Sequence, residues 1–264
     1  MKRLVYSIWG GLSDNHVSSD DFKKSQFEKY QADLIQKQKE YADLCRADYT
    51  CFDVGTLDYQ EIQFLKIDKL CELSNDYDEI LYLDMDVIPN TEKIIFDSFD
   101  LSKMCIHFNP PRWLPQHREL MKCLDNKDFT FSYMDQWVKC LIKKSMLLLD
   151  DIHGSDTVAN TGVMCINSEA LKSMELNHKM LLADEAYEEA LEDNFHPQRI
   201  LNAWRKNNEV FISYILERYD TGYNEIGKQW NYILDNKIRK YTPVGYFIHQ
   251  VNKDFEVTLN ALAR

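Results

Sequence analysis

Strand and helix signals alternate along the first 108 residues, and this alternation constrains the fold more than any other feature of the sequence. Short apolar strands are predicted at residues 3–9, 49–54 and 79–83. The first strand is expected to stop at Gly10-Gly11, and a helix is predicted at residues 58–75. A longer helical pattern follows the first strand, with Ser18, Ser19 and Asp20 as N-cap candidates and apolar positions at Phe22, Phe27, Tyr30, Leu34, Tyr41 and Leu44. This β-α-β-α-β order predicts a mainly parallel sheet with helices on its faces.

The second half of the chain is less regular and becomes mainly helical. Residues 109–115 contain three prolines and are predicted to form a loop that carries Arg112 and Trp113. Strands are predicted at residues 104–108, 162–166 and 246–249, and helical sequence up to about residue 149, over 168–219 and over 257–263. Because no linker rich in Gly, Ser or Pro interrupts the chain, we expect one domain over residues 1–264.

Composition narrows the class of protein. With 264 residues, 45% of them hydrophobic, the chain can bury a sizeable core. Its formal charge is −12, from 43 acidic and 31 basic residues. Nucleic acids and anionic membranes select basic surfaces, so neither is expected as a partner. An acidic protein suits a bound divalent cation better.

The cysteines and the apolar segments bear on the cellular compartment. The seven cysteines are widely spread and form no C-x-x-C pair, which is typical of reduced thiols. No apolar stretch reaches the length of a membrane span, and the first residues do not read as a signal peptide. We therefore expect a cytoplasmic protein without a transmembrane segment.

Two aspartates, Asp84 and Asp86, directly follow the apolar strand at residues 79–83. In parallel α/β sheets, ligands bind beyond the carboxyl ends of the strands. Carboxylates there can hold Mg²⁺ or Mn²⁺ on a substrate diphosphate, whose departing charge the metal neutralises. The alternative is that both aspartates are ordinary turn residues at a strand end.

Further motifs occur in a fixed order around this pair. Lys66 lies beside the apolar stripe of a predicted helix, and His249 follows a late apolar strand. Between them the chain reads Asn160-Thr161-Gly162-Val163 and then Asn208-Glu209. This order resembles GT-A fold glycosyltransferases with an Asp-x-Asp motif, most closely family 8, the glycogenin and lipopolysaccharide galactosyltransferase type. The resemblance implies an α/β GT-A fold with a central sheet flanked by helices and a helical C-terminal part.

The resemblance also implies a metal site and a diphosphate site. Asp84, Asp86 and His249 would bind Mn²⁺ or Mg²⁺, and Lys66 would face the donor diphosphate. Lys69 competes with Lys66 for that role, because it also has apolar neighbours on its helix. The family pattern His-x-x-Gly-x-x-Lys is altered here to His249-Gln250-Val251-Asn252-Lys253-Asp254, which leaves a phosphate role for Lys253 open.

The remaining candidates surround the donor nucleotide and the sugar. Residues 1–108 would bind the nucleotide, and residues 109–264 the acceptor. The donor-binding candidates besides Lys66 and the aspartates are Tyr6, Ser7, Trp9, Asp53, Met85 and Gly162. The catalytic candidates are Glu209, Asn160 and Asp184, with Glu185 as an alternative to Asp184. Tyr6 and Trp9 could equally be core residues, and Asn160-Thr161-Gly162 an ordinary turn before a strand. Trp230-Asn231 resembles a pair found late in many GT-A sequences and could instead cap a helix. The loop with Arg112 and Trp113 would bind acceptor or act as a lid.

The sequence therefore predicts a metal-dependent glycosyltransferase that uses a nucleotide-diphosphate sugar, with UDP expected. The acceptor would be a hydroxyl on a glycan or small molecule, and the resemblance implies retention of anomeric configuration. Two alternatives stay open. One is a haloacid-dehalogenase-like phosphatase, whose motif Asp-x-Asp-x-x-x-x-Thr also fits residues 84–91, with Asp150-Asp151 as its late acidic motif. The other is a catalytically inactive GT-A domain that binds a sugar or a partner protein.

Overall fold

The computed structural model describes residues 1–12, 21–57, 59–109, 132–192, 206–234 and 244–262. The chain divides into two compact units. The first comprises Met1–His107, Thr161–Met174 and Tyr223–Arg264, and the second Phe108–Asn160 and Glu175–Gly222. The expectation of one domain stays a prediction.

A six-stranded sheet with strand order β2-β1-β3-β6-β5-β7 forms the centre of the fold. Its strands are β1 (Arg3–Leu12), β2 (Asp48–Leu57), β3 (Glu79–Leu83), β5 (Met104–Asn109), β6 (Val158–Asn167) and β7 (Tyr223–Glu225). β1 runs parallel to both β2 and β3, as the β-α-β order predicts. β5 runs parallel to β7, a strand that the sequence did not predict. β6 pairs with β3 in the antiparallel direction, so the sheet is mixed.

The helices account for most of the remaining described residues. They are α1 (Asp21–Leu44), α2 (Tyr59–Leu73), α3 (Ile95–Ser98), α4 (Ser132–Leu148), α5 (Ser168–Ser173), α6 (Leu176–Glu192), α7 (Asn208–Arg218), α8 (Gly227–Trp230) and α9 (Phe255–Leu262). Within the second unit, α4, α6 and α7 pack against one another. Within the described part of the chain, every helix is too short or too polar to span a bilayer.

β3 is the buried strand that carries the aspartate pair to the edge of the sheet. All five of its residues are buried, because α2 packs against β3 and two of its leucines share a core cluster with side chains of α1. A strand covered on both faces needs a continuous apolar run rather than alternation, which is what residues 80–83 supply. Its predicted bounds are confirmed, and Asp84 is the first residue beyond its end.

A small second sheet, β4-β9-β8, brings the late histidine to the aspartates. It consists of β4 (Val87–Pro89), β8 (Tyr232–Leu234) and β9 (Phe247–Gln250). β4 directly follows the aspartate pair and runs antiparallel to β9, with Val87 opposite His249. The sequence predicted only β9, shifted by one residue, and missed β4 and β8.

Three predicted strand ends are wrong. β1 does not stop at Gly10-Gly11 but continues to Leu12 past a register shift between Trp9 and Gly11. A Cβ on Gly10 would lie 3.0 Å from side chains of α2 and β2, so this glycine permits close packing instead of ending the strand. β2 continues to Leu57, past its predicted end at residue 54, so Asp53 lies inside the strand. β6 begins at Val158, which places Asn160 inside a strand rather than in a turn.

Candidate metal and ligand site

The turn that follows β3 is held by backbone and side-chain hydrogen bonds. The amide of Asp84 donates to the carbonyl oxygen of Gly162 on β6 at 2.9 Å, and the amide of Val87 donates to the carbonyl oxygen of Asp84 at 2.9 Å. Gln38, buried on α1, donates its side-chain amide to the carbonyl oxygens of Asp84 and Val87 at 2.9 and 3.0 Å. These bonds fix the direction in which the two carboxylates project. Sequence reasoning did not identify Gln38.

Asp84, Asp86 and His249 form a three-residue cluster at this turn. Each offers one ligand atom, and these atoms all lie within 4.8 Å of one another. Nε2 of His249 lies 3.3 Å from Oδ2 of Asp86, and both side chains are buried, whereas Asp84 is partly exposed. Two carboxylates and an imidazole are a donor set that suits Mn²⁺, since the imidazole is softer than the oxygen ligands. The residues present therefore fit a divalent metal.

Asn231 orients the imidazole of His249. Nδ1 of His249 donates to Oδ1 of Asn231 at 3.0 Å, and Asn231 is buried just before β8. With the proton on Nδ1, the Nε2 lone pair of the neutral ring points toward Asp86. Hydrogen bonds of this kind hold metal-binding histidines in the correct tautomer. In the Trp230-Asn231 pair noted in the sequence, the asparagine therefore positions the His249 ring.

Lys66 reaches the aspartate pair from α2. Its Nζ lies 3.2 Å from Oδ1 of Asp84 and 3.3 Å from the carbonyl oxygen of Thr161, and it sits over the ring of Tyr82. Lys69 instead pairs with Glu72 at 2.6 Å. Of the two competing lysines, the structure brings only Lys66 to the aspartates.

Tyr82 completes the surroundings of Asp84. Its hydroxyl donates to Oδ1 of Asp84 at 2.5 Å. Burial, and then the charge of Asp84, raise the pKa of Tyr82 well above its ordinary value. The phenol therefore stays protonated and remains a hydrogen-bond donor to the carboxylate.

Asp86 is held as a carboxylate by its two polar neighbours. Burial alone would raise its pKa, but the charge of Lys253 and the proximity of His249 outweigh this and hold the pKa of Asp86 well below its ordinary value. Nζ of Lys253 contacts Oδ2 of Asp86, the same oxygen that faces His249. The sequence leaves the role of Lys253 open because its spacing from His249 departs from the family pattern.

Three predicted donor-binding side chains lie inside the protein. The predicted stacking of Tyr6 on a base is not supported, because its ring is fully buried and its hydroxyl donates to the carbonyl oxygen of Lys66 at 2.6 Å. Ser7 is buried and hydrogen-bonds the hydroxyl of Tyr49 at 3.0 Å. The side chain of Met85 packs in the core, with its sulfur 3.8 Å from that of Cys51. Of the three, Tyr6 is linked to the site through its hydrogen bond to the backbone of Lys66.

Trp9, Asp53 and Gly162 are placed differently. Trp9 is partly buried, and its ring packs edge-on against Phe27 with centroids 5.6 Å apart. Asp53 is exposed and accepts a hydrogen bond from the amide of Gly55 at 3.0 Å. Gly162 contributes the carbonyl oxygen that receives the amide of Asp84. The ligand-binding roles of these residues stay predictions.

The predicted catalytic residues belong to the second unit. Glu209 is buried in the first turn of α7 and pairs with Lys139 at 2.5 Å. Asp184 on α6 pairs with Lys206 at 2.6 Å, and Asn160 is buried in β6. Different lysines therefore hold the two acids. The catalytic roles remain predictions, and Arg112 and Trp113 lie outside the described residues.

Comparison with known proteins bears on the fold. No protein-family model and no curated protein sequence matches this chain. Among solved structures, it is similar to a glycosyltransferase involved in the glycosylation of the major capsid of PBCV-1, with a TM-score of 0.52 and 13% identity over 97% of this chain and 100% of that one. A weaker likeness is to the galactosyltransferase LgtC, with a TM-score of 0.46 and 12% identity over 94% of this chain and 87% of that one. Another is to mouse xyloside xylosyltransferase 1, with a TM-score of 0.44 and 14% identity over 95% of this chain and 98% of that one. At such identities the likeness concerns the fold alone. The predicted GT-A fold, with a central sheet flanked by helices, is confirmed. The sheet was predicted to be mainly parallel, and it also contains the antiparallel pairing of β3 with β6.

Proposed function

We propose that this protein is a metal-dependent glycosyltransferase. It moves a sugar from a nucleotide-diphosphate sugar, with UDP as the expected nucleotide, to a hydroxyl of a glycan or a small acceptor. The observation that carries the proposal is the convergence of Asp84, Asp86 and His249 at the carboxyl end of a central strand. Ligands of open α/β sheets bind at that edge, and the protein has the GT-A fold.

Asp84, Asp86 and His249 would hold the metal, with Mn²⁺ favoured over Mg²⁺ because one donor is an imidazole. A bound divalent cation supplies positive charge to the diphosphate that leaves when the sugar bond breaks. Asn231 holds His249 in the required tautomer, and Gln38 holds the turn that carries both aspartates. The chain thus fixes the donor atoms before a metal arrives.

Lys66 adds a second positive charge at this edge. The carbonyl oxygen of Thr161 and the ring of Tyr82 hold its ammonium beside Asp84. A charge held in a buried position does not need to reorganise when negative charge develops on the leaving group. Lys66 therefore suits the role of stabilising the departing diphosphate.

Retention of anomeric configuration is the proposed stereochemistry. Inversion requires a carboxylate that accepts the proton of the acceptor hydroxyl. Glu209, the candidate for that role, is buried and already engaged by Lys139 at 2.5 Å. Because Lys139 already occupies this carboxylate, the mechanism that needs no side-chain base is favoured.

The two alternatives have less support. The phosphatase motif would use the first aspartate as a nucleophile at the end of the first strand, whereas Asp84 follows β3 and accepts hydrogen bonds from Lys66 and Tyr82. The GT-A fold also does not favour this alternative. An inactive domain would not require a buried carboxylate, an oriented imidazole and a fixed lysine at one edge of a sheet.

A thermal-shift experiment with a panel of nucleoside diphosphates, with and without Mn²⁺, tests the proposal. A ligand that binds only the folded protein raises its stability, by about 2.7 kcal/mol at a hundred times the Kd. We expect a Mn²⁺-dependent rise in Tm with one nucleotide, and its loss in Asp84→Asn/Asp86→Asn. The matched control is Asp76→Asn/Asp78→Asn, a second Asp-x-Asp that is exposed. If no nucleotide shifts the Tm when Mn²⁺ is present, the donor site is rejected.

Replacing Asn231 with leucine is expected to weaken Mn²⁺ binding by about 10- to 100-fold. Leucine fills a similar volume but accepts no hydrogen bond from Nδ1 of His249, so the ring loses its fixed tautomer. Electron paramagnetic resonance of free Mn²⁺ measures the affinity. Asn231→Asp retains an acceptor oxygen and should bind Mn²⁺ nearly as wild type does. Equal affinity in Asn231→Leu and wild type would show that Asn231 does not position the ligand.

A further inference from the structure

A resident cation already occupies the aspartate that faces the histidine. Lys253 follows His249 by four residues, and its Nζ contacts Oδ2 of Asp86. The same oxygen lies 3.3 Å from Nε2 of His249. The ammonium of Lys253 therefore occupies the carboxylate oxygen that a divalent cation bound by both Asp86 and His249 would need as a ligand.

The two lysines at the site are held differently. Nζ of Lys66 has Thr161 and Tyr82 as partners besides Asp84. Among the residues that the structure describes, Nζ of Lys253 has besides Asp86 a distant aromatic neighbour, the ring of Phe27, whose centroid lies 5.5 Å away. The side chain of Lys253 is 20% exposed, against 7% for Asp86. Lys253 therefore approaches the buried carboxylate from the solvent side.

The backbone of Lys253 is fixed while its side chain can leave. Its amide donates to the carbonyl oxygen of Gln250 at 3.0 Å, and its φ of 60° lies in the left-handed region of a tight turn. Its carbonyl oxygen accepts the amide of Phe255 at 2.9 Å. A lysine has a flexible four-carbon stem, so its ammonium can move from Asp86 into water without moving this turn.

We propose that Lys253 is an intramolecular competitor of the divalent cation at Asp86. This inference rests on the metal site of the proposed function. An ammonium and a divalent cation on the same carboxylate repel each other, so metal binding requires the lysine to leave. The apparent affinity for metal equals the intrinsic affinity multiplied by the fraction of molecules in which Asp86 is available. If about one molecule in ten has the ammonium displaced, the lysine weakens metal binding about tenfold.

The competitor has a structural benefit in the metal-free protein. Asp86 is a buried carboxylate, and an unpaired buried charge is strongly destabilising. Lys253 supplies the counter-charge whenever metal is absent, so the site stays folded without its ion. The same lysine thus stabilises the metal-free protein and opposes metal binding, and the two effects can be measured separately.

The test compares Lys253→Met, Lys253→Arg and the control Lys93→Met, all free of nucleotide. Lys93 is exposed and contacts Tyr246 instead of the aspartates. Electron paramagnetic resonance of free Mn²⁺ should show about tenfold tighter binding in Lys253→Met, and no tightening in Lys253→Arg, which keeps the charge. Without metal, the Tm of Lys253→Met should be lower than that of wild type, and Mn²⁺ should raise it by more.

The outcomes separate this inference from the proposed function. If wild type binds Mn²⁺ in the presence of UDP but Lys253→Met does not bind Mn²⁺ more tightly, the competition is overturned and the metal site stands. Equal tightening in Lys253→Met and Lys253→Arg also overturns it, because the charge would then not matter. Absence of Mn²⁺ binding in wild type and Lys253→Met, with and without UDP, overturns both.

Discussion

Replacing Lys66 with methionine is expected to lower kcat of the proposed sugar transfer by about 10²- to 10³-fold. The substitution removes the ammonium that Thr161 and Tyr82 hold beside Asp84. Preorganised charges act mainly on the transition state, where the leaving diphosphate gains negative charge, so kcat should fall more than KM rises. The thermal-shift panel identifies the nucleotide and thereby the donor sugar to use. Initial rates of nucleotide release from that donor then measure kcat and KM.

Lys69→Met is the matched control for Lys66→Met. Both lysines lie on α2, but Lys69 pairs with Glu72 at 2.6 Å, away from Asp84. We expect near wild-type rates in Lys69→Met, and partial recovery in Lys66→Arg, which keeps a positive charge with a different shape. Thermal melting of each variant separates loss of catalysis from loss of folding. Equal rates for a folded Lys66→Met and wild type would remove Lys66 from the mechanism.

Local sequence patterns predicted the part of the site that depends on one strand. Residues 80–83 form a continuous apolar run because helices cover both faces of β3, and the run ends where Asp84 begins. The β-α-β order likewise predicted the parallel pairing of β1 with β2 and β3. A buried strand and its end can be read from neighbouring residues, so this part of the prediction agrees with the structure.

The convergence of the site depends on contacts between distant parts of the chain. His249 reaches Asp86 through the pairing of β4 with β9, and β4 has only three residues. So short a strand shows too little periodicity to be recognised. The motif order of a resembled family, rather than periodicity, indicated His249 and Lys66. A family pattern can indicate which residues meet, but it does not supply the local reason.

Polar partners and glycine packing could not be predicted from the sequence. Gln38, Asn231 and Lys253 each contact a residue far away in the chain, so no local pattern indicates their roles. Gly10 was read as a strand end because glycine is common in turns, whereas tertiary packing against α2 and β2 explains it. The burial of Tyr6 also depends on neighbours in three dimensions. In each case a tertiary contact, rather than a local pattern, determines the role of the residue.

Replacing Lys143 with methionine is expected to lower the free energy of unfolding by about 3–5 kcal/mol. The side chain of Lys143, on α4 in the second unit, is 0% exposed and pairs with Glu217 at 2.5 Å. Its Nζ also donates to the carbonyl oxygens of Ser155 and Thr157 at 2.9 and 2.7 Å. Methionine fills much of the same space but leaves the carboxylate of Glu217 and two carbonyl groups without this donor. Urea unfolding of both proteins, compared at equal m values, measures the difference.

The adjacent Lys144 is a control that separates burial from charge. Lys144 pairs with Asp156, and their side chains are 32% and 68% exposed. Exposed pairs contribute about 0–1 kcal/mol, because water already solvates both charges, so Lys144→Met should change stability by less than this amount. Glu217→Gln in the Lys143→Met background should restore part of the loss, since it removes the uncompensated charge. If Lys143→Met and Lys144→Met destabilise equally, burial does not determine the strength of the Lys143–Glu217 pair, and the cost assigned to an unpaired carboxylate in the second unit is wrong.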